Sequence, residues 1–371
     1  MTSVAATIIV WILIFILPFL IFPIGISQFE APKVYAAELG IIILSLLGIF
    51  ANYKHLIKVK VPLILFSLLF FLTLYHLLFR MTPAAFLGNI FRQQGIFLLW
   101  LLMLFSFFSA HLSRIKIPPV IITLLISVEF ILSILLIRSI DDRAVGTLGE
   151  PNALAGFVAF LWPFIAFQKL KSPISKFLFI LSSTMIFFII FMSGSRSGLI
   201  AFILELMLFG FFKFTKLGIL KTTSIGILFL ISSFLLPFAL AKDVVYENRA
   251  EIWQTSIISG YQHPFLGWGF GNTEVALKQY NKKLYNNLQG YYVDSAHNIF
   301  IDYWIQGGFL GLSILLLLIY ISIKNFIIKK SVMNITLLLG LMITLSFNPS
   351  SIVGLIGFWY ILGQGLFGQV D

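Results

Sequence analysis

The chain has 371 residues, of which 60% are hydrophobic and only 11% are charged, and its mean hydropathy is +1.03. Soluble domains are typically about 45–50% apolar, so this composition excludes an ordinary soluble protein. The absence of cysteine excludes disulfides, thiol nucleophiles and thiolate metal sites. A net charge of +11 would suggest nucleic acid for a soluble chain. Here the charges lie between apolar segments, and we predict no nucleic-acid partner.

Twelve apolar segments follow one another along the chain, each close to the roughly 20 residues that a membrane-spanning helix needs. They do not alternate apolar with polar residues as barrel strands do. The first has no Lys or Arg before it and no small-residue cleavage site after it, so we interpret it as a retained helix rather than a signal peptide. We predict an all-α, polytopic fold in contact with membrane lipids, with residues 1–371 in a single membrane domain. The predicted spans are 6–26, 35–52, 61–79, 93–110, 117–138, 152–168, 177–192, 197–212, 222–241, 299–323, 332–347 and 351–368.

The basic residues predict the orientation of these spans, because cytoplasmic loops carry an excess of Lys and Arg. With the N-terminus in the cytoplasm, the short cytoplasmic loops hold fourteen of the 25 basic residues and no acidic one. We therefore predict that both termini are cytoplasmic. Six of the seven arginines fall outside, whereas thirteen of the fourteen inner basic residues are lysines. Because arginine binds phosphate or carboxylate bidentately, this bias indicates either an anion site on the outer face or a chance excess of arginines at helix ends.

Arg196 lies in a very short outer turn between the seventh and eighth predicted spans. The turn reads Ser193-Gly194-Ser195-Arg196-Ser197-Gly198. Small residues let the two helices pack closely, which leaves the guanidinium little room to move away from the membrane interface. A charge held at such a place is interpreted as functional by default.

The longest polar interruption is an outer loop between spans nine and ten, residues 242–297. Its first part predicts an amphipathic helix in which Arg249 and Trp253 share the apolar face. Arg249 would then point toward protein or membrane, where a guanidinium needs a partner. That partner is either an acidic residue of the same loop, Glu247 or Glu251, or a bound anion.

The middle of this loop runs from His263 to Asn272 and alternates glycines with aromatic residues. The pattern favours a tight re-entrant turn over a ligand-binding loop, although glycines permit either. Asn272 is expected to cap a second short amphipathic helix. The stretch from Tyr285 to Asp294, rich in Asn, Gln and Tyr, suits either a sugar-contacting surface or an ordinary wet loop.

His297 follows within Ser295-Ala296-His297-Asn298, where the tenth span begins. With Ser295 as the cap, His297 would lie in the first helical turn, whose free N–H groups favour an anion and disfavour a protonated imidazole. A neutral histidine beside a bound anion can act as a general base. The alternative is that His297 helps to cap its own helix. His76, near the outer end of the third span, is a weaker second candidate.

At these residues the chain resembles the O-antigen ligase and Wzy-type polymerase superfamily. Order and spacing agree from about residue 143 to residue 311, whereas the first 140 residues match only in hydropathy. The matching pieces are Arg143 with Gly146, Glu150-Pro151-Asn152, Gly194-Ser195-Arg196-Ser197-Gly198, Arg249 with Trp253, His263-Pro264 with Gly267, Gly269 and Gly271, Ala296-His297-Asn298, and Gly307-Gly308 with Gly311.

The resemblance implies a C-type glycosyltransferase membrane fold in the bacterial inner membrane. Such enzymes move a glycan from an undecaprenyl diphosphate carrier to an acceptor hydroxyl on the outer face, with neither a metal nor another cofactor. It implies that Arg196, Arg249 and His297 are the catalytic residues and that a single displacement inverts the anomeric carbon. We expect further substrate contacts from four residues, namely Arg143, Arg92, Asn298 and Ser197.

Several functions remain open within and outside this family. The long outer loop could cover an acceptor, which favours a ligase that attaches polysaccharide to lipid A-core over a polymerase that extends a growing glycan. A protein oligosaccharyltransferase would be expected to carry a soluble C-terminal extension. A transporter of lipid-linked sugars would require charged residues along a pathway through the spans. The candidates for such residues are Glu38, Glu129, Glu205 and His76.

Overall fold

The computed structural model describes residues 2–23, 27–50, 60–112, 117–135, 142–168, 171–239, 249–280 and 293–368. Throughout these ranges the regular secondary structure is helical, which confirms the predicted all-α fold. In chain order the helices are α1 (Thr2–Trp11), α2 (Ala31–Phe50), α3 (Lys60–Phe79), α4 (Pro83–Leu87), α5 (Ile96–Leu112), α6 (Pro119–Leu135), α7 (Pro151–Ala166), α8 (Pro173–Ser193), α9 (Arg196–Phe214), α10 (Ile219–Ser233), α11 (Leu236–Ala239), α12 (Arg249–Gly260), α13 (Thr273–Tyr280), α14 (Ile299–Ile328), α15 (Val332–Phe347) and α16 (Ile352–Leu366).

Each predicted span corresponds to an apolar helix among the described residues, and the protein is a polytopic membrane protein. Six of these helices are at least 18 residues long and apolar enough to cross a bilayer: α2, α3, α8, α9, α14 and α10 continued through α11. The other six are shorter, and they are α1 with its continuation, α5, α6, α7, α15 and α16. Among them, α7, α15 and α16 are buried almost completely. A helix that is apolar all round belongs inside a bundle, and these three form its centre.

The outer helices surround this centre. Helix α9 packs on α15, α8 packs on α7, and α5 packs on α16. On the opposite face, α8 exposes large apolar side chains such as Phe177 and Phe191. Exposed apolar surface of this kind would be unstable in water, and it suits contact with lipid tails.

The loops gather at two ends of the bundle. At one end, Glu30 accepts a hydrogen bond from the backbone nitrogen of Ile352 at 2.6 Å, and Gln94 donates to the carbonyl of Ser350 at 2.7 Å. We call this the site end, because every residue of the candidate site lies there. At the other end, Lys329 donates to the carbonyl of Gly368 at 2.6 Å.

Some predicted boundaries differ from the structure. The first helix continues through a π turn and a 3₁₀ turn and ends at Phe19, because Leu20 adopts an extended backbone with ψ 116°. The tenth span continues to Ile328, beyond the predicted end at residue 323. The predicted start of the loop helix and the polar stretch 281–292 lie outside the described residues, whereas α12 and α13 agree with the prediction.

Helix α14 is broken at Gly308, whose φ of 59° and ψ of −157° are not helical. The loop 263–272 fits into this break. Backbone nitrogens of the loop donate to the freed carbonyls of Ile305 and Gln306 at 2.8 and 2.9 Å. In return, carbonyls of the loop accept from the freed N–H groups of Phe309 and Leu310 at 2.7 and 3.1 Å. An unpaired backbone group costs several kcal/mol in hydrocarbon, so this loop is what makes the break tolerable.

The glycines of the loop permit this close approach. A Cβ atom on Gly308 would lie 2.5 Å from the carbonyl carbon of Phe265, and one on Gly267 would overlap the carbonyl of Gln306. His76 holds the same loop, since its Nε2 lies 2.7 Å from the carbonyl of Leu266 and must donate to it. The predicted tight turn is therefore present, and its partner is a broken helix rather than the bilayer surface.

Candidate active site

The turn between α8 and α9 presents Arg196. Gly194 ends α8 in a left-handed conformation with φ 59°, and Ser195 caps α9 by accepting a hydrogen bond from the nitrogen of Gly198 at 3.2 Å. Arg196 is thus the first residue of a helix, and its side chain is exposed. No described residue forms a hydrogen bond or ion pair with its guanidinium. A helix N-terminus that carries an unpaired guanidinium is suited to bind an anion.

Arg143 lies against the same turn. Its Nε donates to the carbonyl of Ser193 at 2.7 Å, and the nitrogen of Ala144 donates to the carbonyl of Met192 at 3.0 Å. Among the described residues other than the neighbours of Gly194 in the chain, the Nε of Arg143 is the one atom within 4 Å of a Cβ built there, at 3.4 Å. The structure therefore brings two of the predicted arginines to one turn.

The segment that follows Arg143 enters the bundle, and the first 140 residues hold it there. The carbonyl of Thr147 accepts a hydrogen bond from the amine of Lys33 at 2.8 Å, although Lys33 is fully buried. The carboxylate of Glu129 accepts from the backbone nitrogen of Thr147 at 3.2 Å and from its hydroxyl. Lys33 and Glu129 thus fix the part of the chain that positions Arg143.

A chain of hydrogen bonds joins the turn to Arg249. Ser195 donates to Asn152 at 2.8 Å, and the hydroxyls of Ser195 and Ser197 are 3.1 Å apart. The side-chain nitrogen of Asn348 donates to the hydroxyl of Ser197 at 2.6 Å, and its side-chain oxygen accepts from Nη2 of Arg249 at 3.3 Å. All the bridging side chains between these ends are buried, so the two elements that carry the predicted arginines have a fixed spacing.

Arg249 opens helix α12 and packs on the end of α15. Its Nε donates to the carbonyl of Phe347, the last residue of α15. Arginine at a helix C-terminus is favoured by the partial negative charge there. Trp253 packs in the same place, with its ring 5.6 Å from that of Phe347. The predicted inward face of α12 is confirmed, and Glu247 lies outside the described residues.

His297 lies just before α14 and not in its first turn, so the predicted cap at Ser295 is wrong. Asn298 is the cap, and its side-chain oxygen accepts from the nitrogens of Phe300 and Ile301 at 2.9 and 3.2 Å. Ser295 instead accepts from the nitrogen of His297 at 3.2 Å. His297 adopts a φ of 56°, a conformation that histidine enters more readily than most residues. Serine and asparagine can both cap a helix, and the sequence analysis chose Ser295 where the structure uses Asn298.

The ring of His297 has no hydrogen-bond partner in the described part of the chain. Burial first, and then the positive charges of Arg249 and Arg92, lower its pKa to about 3 against the opposing effect of Asp294. The imidazole is therefore neutral at physiological pH and has a lone pair available to accept a proton. This is the form that the sequence analysis required of a base.

Arg92 belongs to the His297 side of the site. Its Nε forms an ion pair with Asp294 at 2.7 Å, and Asn89 donates to the same carboxylate oxygen at 3.2 Å. Burial opposes the charged form of Arg92, but Asp294, Glu150 and Glu30 outweigh that effect and raise its pKa. Arg92 thus lies beside the segment that carries His297.

The other two predicted substrate contacts are buried. Asn298 is 1% exposed and uses its oxygen to cap α14, while Ser197 is 5% exposed and connects Ser195 with Asn348. Direct contact with substrate stays a prediction for both. Among the described residues, no group of three His, Cys, Asp or Glu side chains could hold a metal ion. The absence of a metal from the reaction also stays a prediction.

Sequence reasoning did not identify Asn348. It lies between the last two apolar helices in the short turn Asn348-Pro349-Ser350-Ser351, where an asparagine usually serves the turn itself. The one available signal was a polar side chain placed between two apolar spans. Its partners, Ser197 and Arg249, are 151 and 99 residues away in the sequence, and no local pattern reveals such contacts.

Several residues of this site lie in a region whose sequence is similar to known proteins. Residues 177–316 match the protein family described as O-Antigen ligase. The match includes Arg196, Arg249 and His297 but neither Arg143 nor Asn348. A curated relative, the "ComP-specific O-oligosaccharyltransferase" of Acinetobacter baylyi, is 27% identical over 209 residues, which are 50% of this chain and 37% of the relative. The alignment therefore spans little more than a third of that relative's length.

Proposed function

We propose that the protein transfers a glycan from undecaprenyl diphosphate to an acceptor hydroxyl, because residues 177–316 match the O-Antigen ligase family and the curated relative is an O-oligosaccharyltransferase. The family match and the relative support glycan transfer by an O-antigen ligase-type enzyme. The carrier, the acceptor and the side of the membrane belong to the proposal. The observation that carries it is the hydrogen-bonded chain from Ser195 through Asn348 to Arg249, which ties Arg249 to the turn that presents Arg196. The charge of Arg249 also acts on His297, whose pKa it lowers.

The donor diphosphate would bind at the Arg196 turn. Arg196 and Arg249, with Arg143 beside them, would neutralise its charge and stabilise the additional charge that develops as it leaves. A stabilised diphosphate is a good leaving group, so the reaction needs no acid to protonate it. Ser197 would hold the spacing of the arginines from within.

His297 would then act on the acceptor. Its neutral ring accepts the hydroxyl proton as the oxygen attacks the anomeric carbon from the face opposite the diphosphate. One C–O bond forms while the bond to the diphosphate breaks, and undecaprenyl diphosphate leaves with the electron pair. A single displacement of this kind inverts the anomeric configuration, and no metal or cofactor takes part.

The first candidate acceptor is lipid A-core, which would make the protein a ligase, and a growing glycan would make it a polymerase. A second candidate is a protein hydroxyl, because the relative from Acinetobacter baylyi is an O-oligosaccharyltransferase specific for ComP. A lipid-linked sugar transporter is less well supported. Glu129 is engaged by Thr147, and Glu205 packs against Gly340 on a different pair of helices, so the two do not line one path.

We further propose that the protein lies in the bacterial inner membrane with its site end outside, both termini in the cytoplasm and residues 242–297 as an extracytoplasmic loop of one membrane domain. The natural lack of cysteine allows single-cysteine labelling with an impermeant reagent. Cysteines at Lys171, Lys216 and Lys330 should be protected in intact cells, and those at Lys278 and Arg196 should react. A protected cysteine at position 278 would contradict both the orientation and the active-site assignment.

The decisive test combines deletion with reconstitution. Loss of all glycan-capped lipid A-core in a deletion strain supports the ligase, caps of a single repeat support the polymerase, and loss of glycan from a protein supports the second candidate. The purified protein in liposomes should transfer glycan from undecaprenyl diphosphate to the acceptor so identified. A wild-type protein that releases no glycan from the carrier with any of these acceptors contradicts the proposal.

A further inference from the structure

A cavity of about 120 Å³ lies at the site end between α5, α14 and α16. Ser295 forms part of its wall, and the hydroxyl oxygen of Ser295 accepts a hydrogen bond from the backbone nitrogen of His297. The cavity therefore lies beside the segment that carries the proposed base, and His297 itself is not among its lining residues. None of Arg143, Arg196 and Arg249 lines it, so it lies outside the place assigned to the diphosphate.

The polar wall of the cavity has unused hydrogen-bonding capacity. Arg92 and Asp294 both line it, and their ion pair uses the Nε of the arginine and the Oδ2 of the carboxylate. Within the described ranges, the terminal nitrogens of Arg92 and the Oδ1 of Asp294 have no hydrogen-bond partner. A guanidinium beside a carboxylate offers one donor and one acceptor to two neighbouring hydroxyl groups.

Further polar lining comes from Asn89, Gln94, Thr273, Asp302, Gln306 and Ser350, whereas Leu98, Leu99 and Leu355 form an apolar patch of the wall. It suits the C–H face of a sugar, whose hydroxyls point outward around a carbon ring. The volume corresponds to about four water molecules at roughly 30 Å³ each. That is too small for an oligosaccharide, and it matches the hydroxyl-bearing edge of one ring.

We propose that this cavity is the acceptor subsite and that it binds two adjacent hydroxyls of the sugar that carries the attacking oxygen. This inference rests on the proposed function and commits it to a glycan acceptor. The subsite would hold the acceptor on the Arg92 side of His297, while the diphosphate occupies the Arg196 side. An inverting displacement requires this arrangement of nucleophile and leaving group on opposite faces.

A substitution that fills the cavity tests the proposal without replacing a charged residue. Leu98→Phe places a larger side chain into it, and Leu104→Phe is the matched control, because Leu104 lies on the same helix and is 42% exposed. In the reconstituted assay, Leu98→Phe should raise the KM for a glycan acceptor by about tenfold or more, the scale on which small pocket changes discriminate. The KM for the lipid-linked donor should change much less, and Leu104→Phe should change neither constant.

Asp294→Asn gives a second test that does not depend on whether Leu98→Phe accumulates. The amide oxygen can still accept from Arg92, but the charge that binds a hydroxyl is lost, and the acceptor KM should rise by about tenfold. With the wild-type enzyme, a deoxy acceptor that lacks one of the two bound hydroxyls should show an increase in KM of similar size. When Asp294→Asn is assayed with the deoxy acceptor, the two increases in KM should not add, because each change removes the same contact.

The outcomes separate the two levels of the proposal. An unchanged acceptor KM in both variants, fully additive losses, or an increase confined to the donor KM would each overturn the subsite and leave the proposed function standing. A wild-type enzyme that transfers glycan to protein alone overturns the subsite as well. No transfer by the wild-type enzyme to any acceptor overturns the proposed function and the subsite together.

Discussion

Two glycine-containing motifs at the site end differ in what surrounds their glycines. In the loop 263–272, which we call the closed loop, a side chain on Gly267 would overlap the backbone of α14. In the turn 193–198, which we call the open turn, the Nε of Arg143 is the one atom of a described, non-adjacent residue within 4 Å of a Cβ built on Gly194. Both motifs contribute to the resemblance to the family. The comparison shows that the glycines of the closed loop are required by close backbone packing, whereas Gly194 is not crowded in this way, a distinction that the sequence does not make.

The largest expected effect is the loss of glycan transfer when His297 is replaced. His297→Ala should reduce transfer by about 10²–10⁴-fold, the usual contribution of a general base, while donor binding stays intact because the arginines hold the donor. His297→Gln keeps size and hydrogen bonding but cannot take a proton at neutral pH, so it should be almost as inactive. Single-turnover transfer and binding of the lipid-linked donor are the measurements. Near wild-type transfer by the Gln variant would assign His297 a positioning role.

The arginines should separate chemistry from folding. Arg196→Lys and Arg249→Lys both lose the bidentate fork and should each reduce transfer by about 10²-fold or more. Arg249→Lys should also lower the thermal unfolding temperature, because Arg249 holds the end of α15 through Phe347 and Asn348. Arg196→Lys should leave that temperature unchanged, because no described residue pairs with Arg196. Full activity of both lysine variants would contradict a diphosphate clamp.

The closed loop should show the reverse pattern, with a change in stability and no direct role in chemistry. Gly308→Ala should destabilise the protein by about 2–4 kcal/mol, because its φ and ψ are nearly exclusive to glycine and the added methyl meets Phe265. Gly194→Ala should cost only about 1–2 kcal/mol for the left-handed conformation. Thermal unfolding in detergent measures both.

Gly210→Ala is the matched control for these glycine substitutions. Gly210 lies in the helix α9, and no atom of the part of the chain that the structure describes, other than its own helix backbone and chain neighbours, lies within 4 Å of a Cβ built on it. Its substitution should be neutral or slightly stabilising. If Gly308→Ala and Gly210→Ala unfold at the same temperature, the break at Gly308 is no more sensitive to an added methyl group than an uncrowded helix position.

The smallest expected effect concerns pH. With a His297 pKa of about 3, the base stays neutral and transfer should not decline as pH falls from 8 to about 5. Arg92→Gln removes a charge that lowers this pKa and leaves Asp294, which raises it, without its ion-pair partner. The His297 pKa should therefore rise, and the acid decline of kcat should move to higher pH. Lys278→Gln, a change on the exposed side of α13, should leave the profile unchanged, and an identical profile for Arg92→Gln would contradict this electrostatic coupling.

Hydropathy predicted the order and number of the apolar helices, because the bilayer requires each span to satisfy its own backbone. It could not predict the break in α14, since the partners that make the break tolerable lie about 40 residues earlier. The choice between Ser295 and Asn298 as the helix cap was also beyond local sequence. Arg196 and Arg249 were identified from charge placement and from the resemblance, but their connection runs through Asn348. Such a contact depends on how α9, α12 and α15 pack, and the sequence contains no local record of that.

The break in α14 also bears on how the protein is assembled. The loop 263–272 precedes α14 in the chain, so synthesis completes the partner before it completes the helix that needs it. When the second half of α14 enters the membrane, the donors and acceptors for Ile305, Gln306, Phe309 and Leu310 already exist. The reverse order would leave these groups unpaired in hydrocarbon during insertion, at a cost of several kcal/mol each. The position of the loop in the sequence therefore favours correct biogenesis of the membrane domain as well as its final stability.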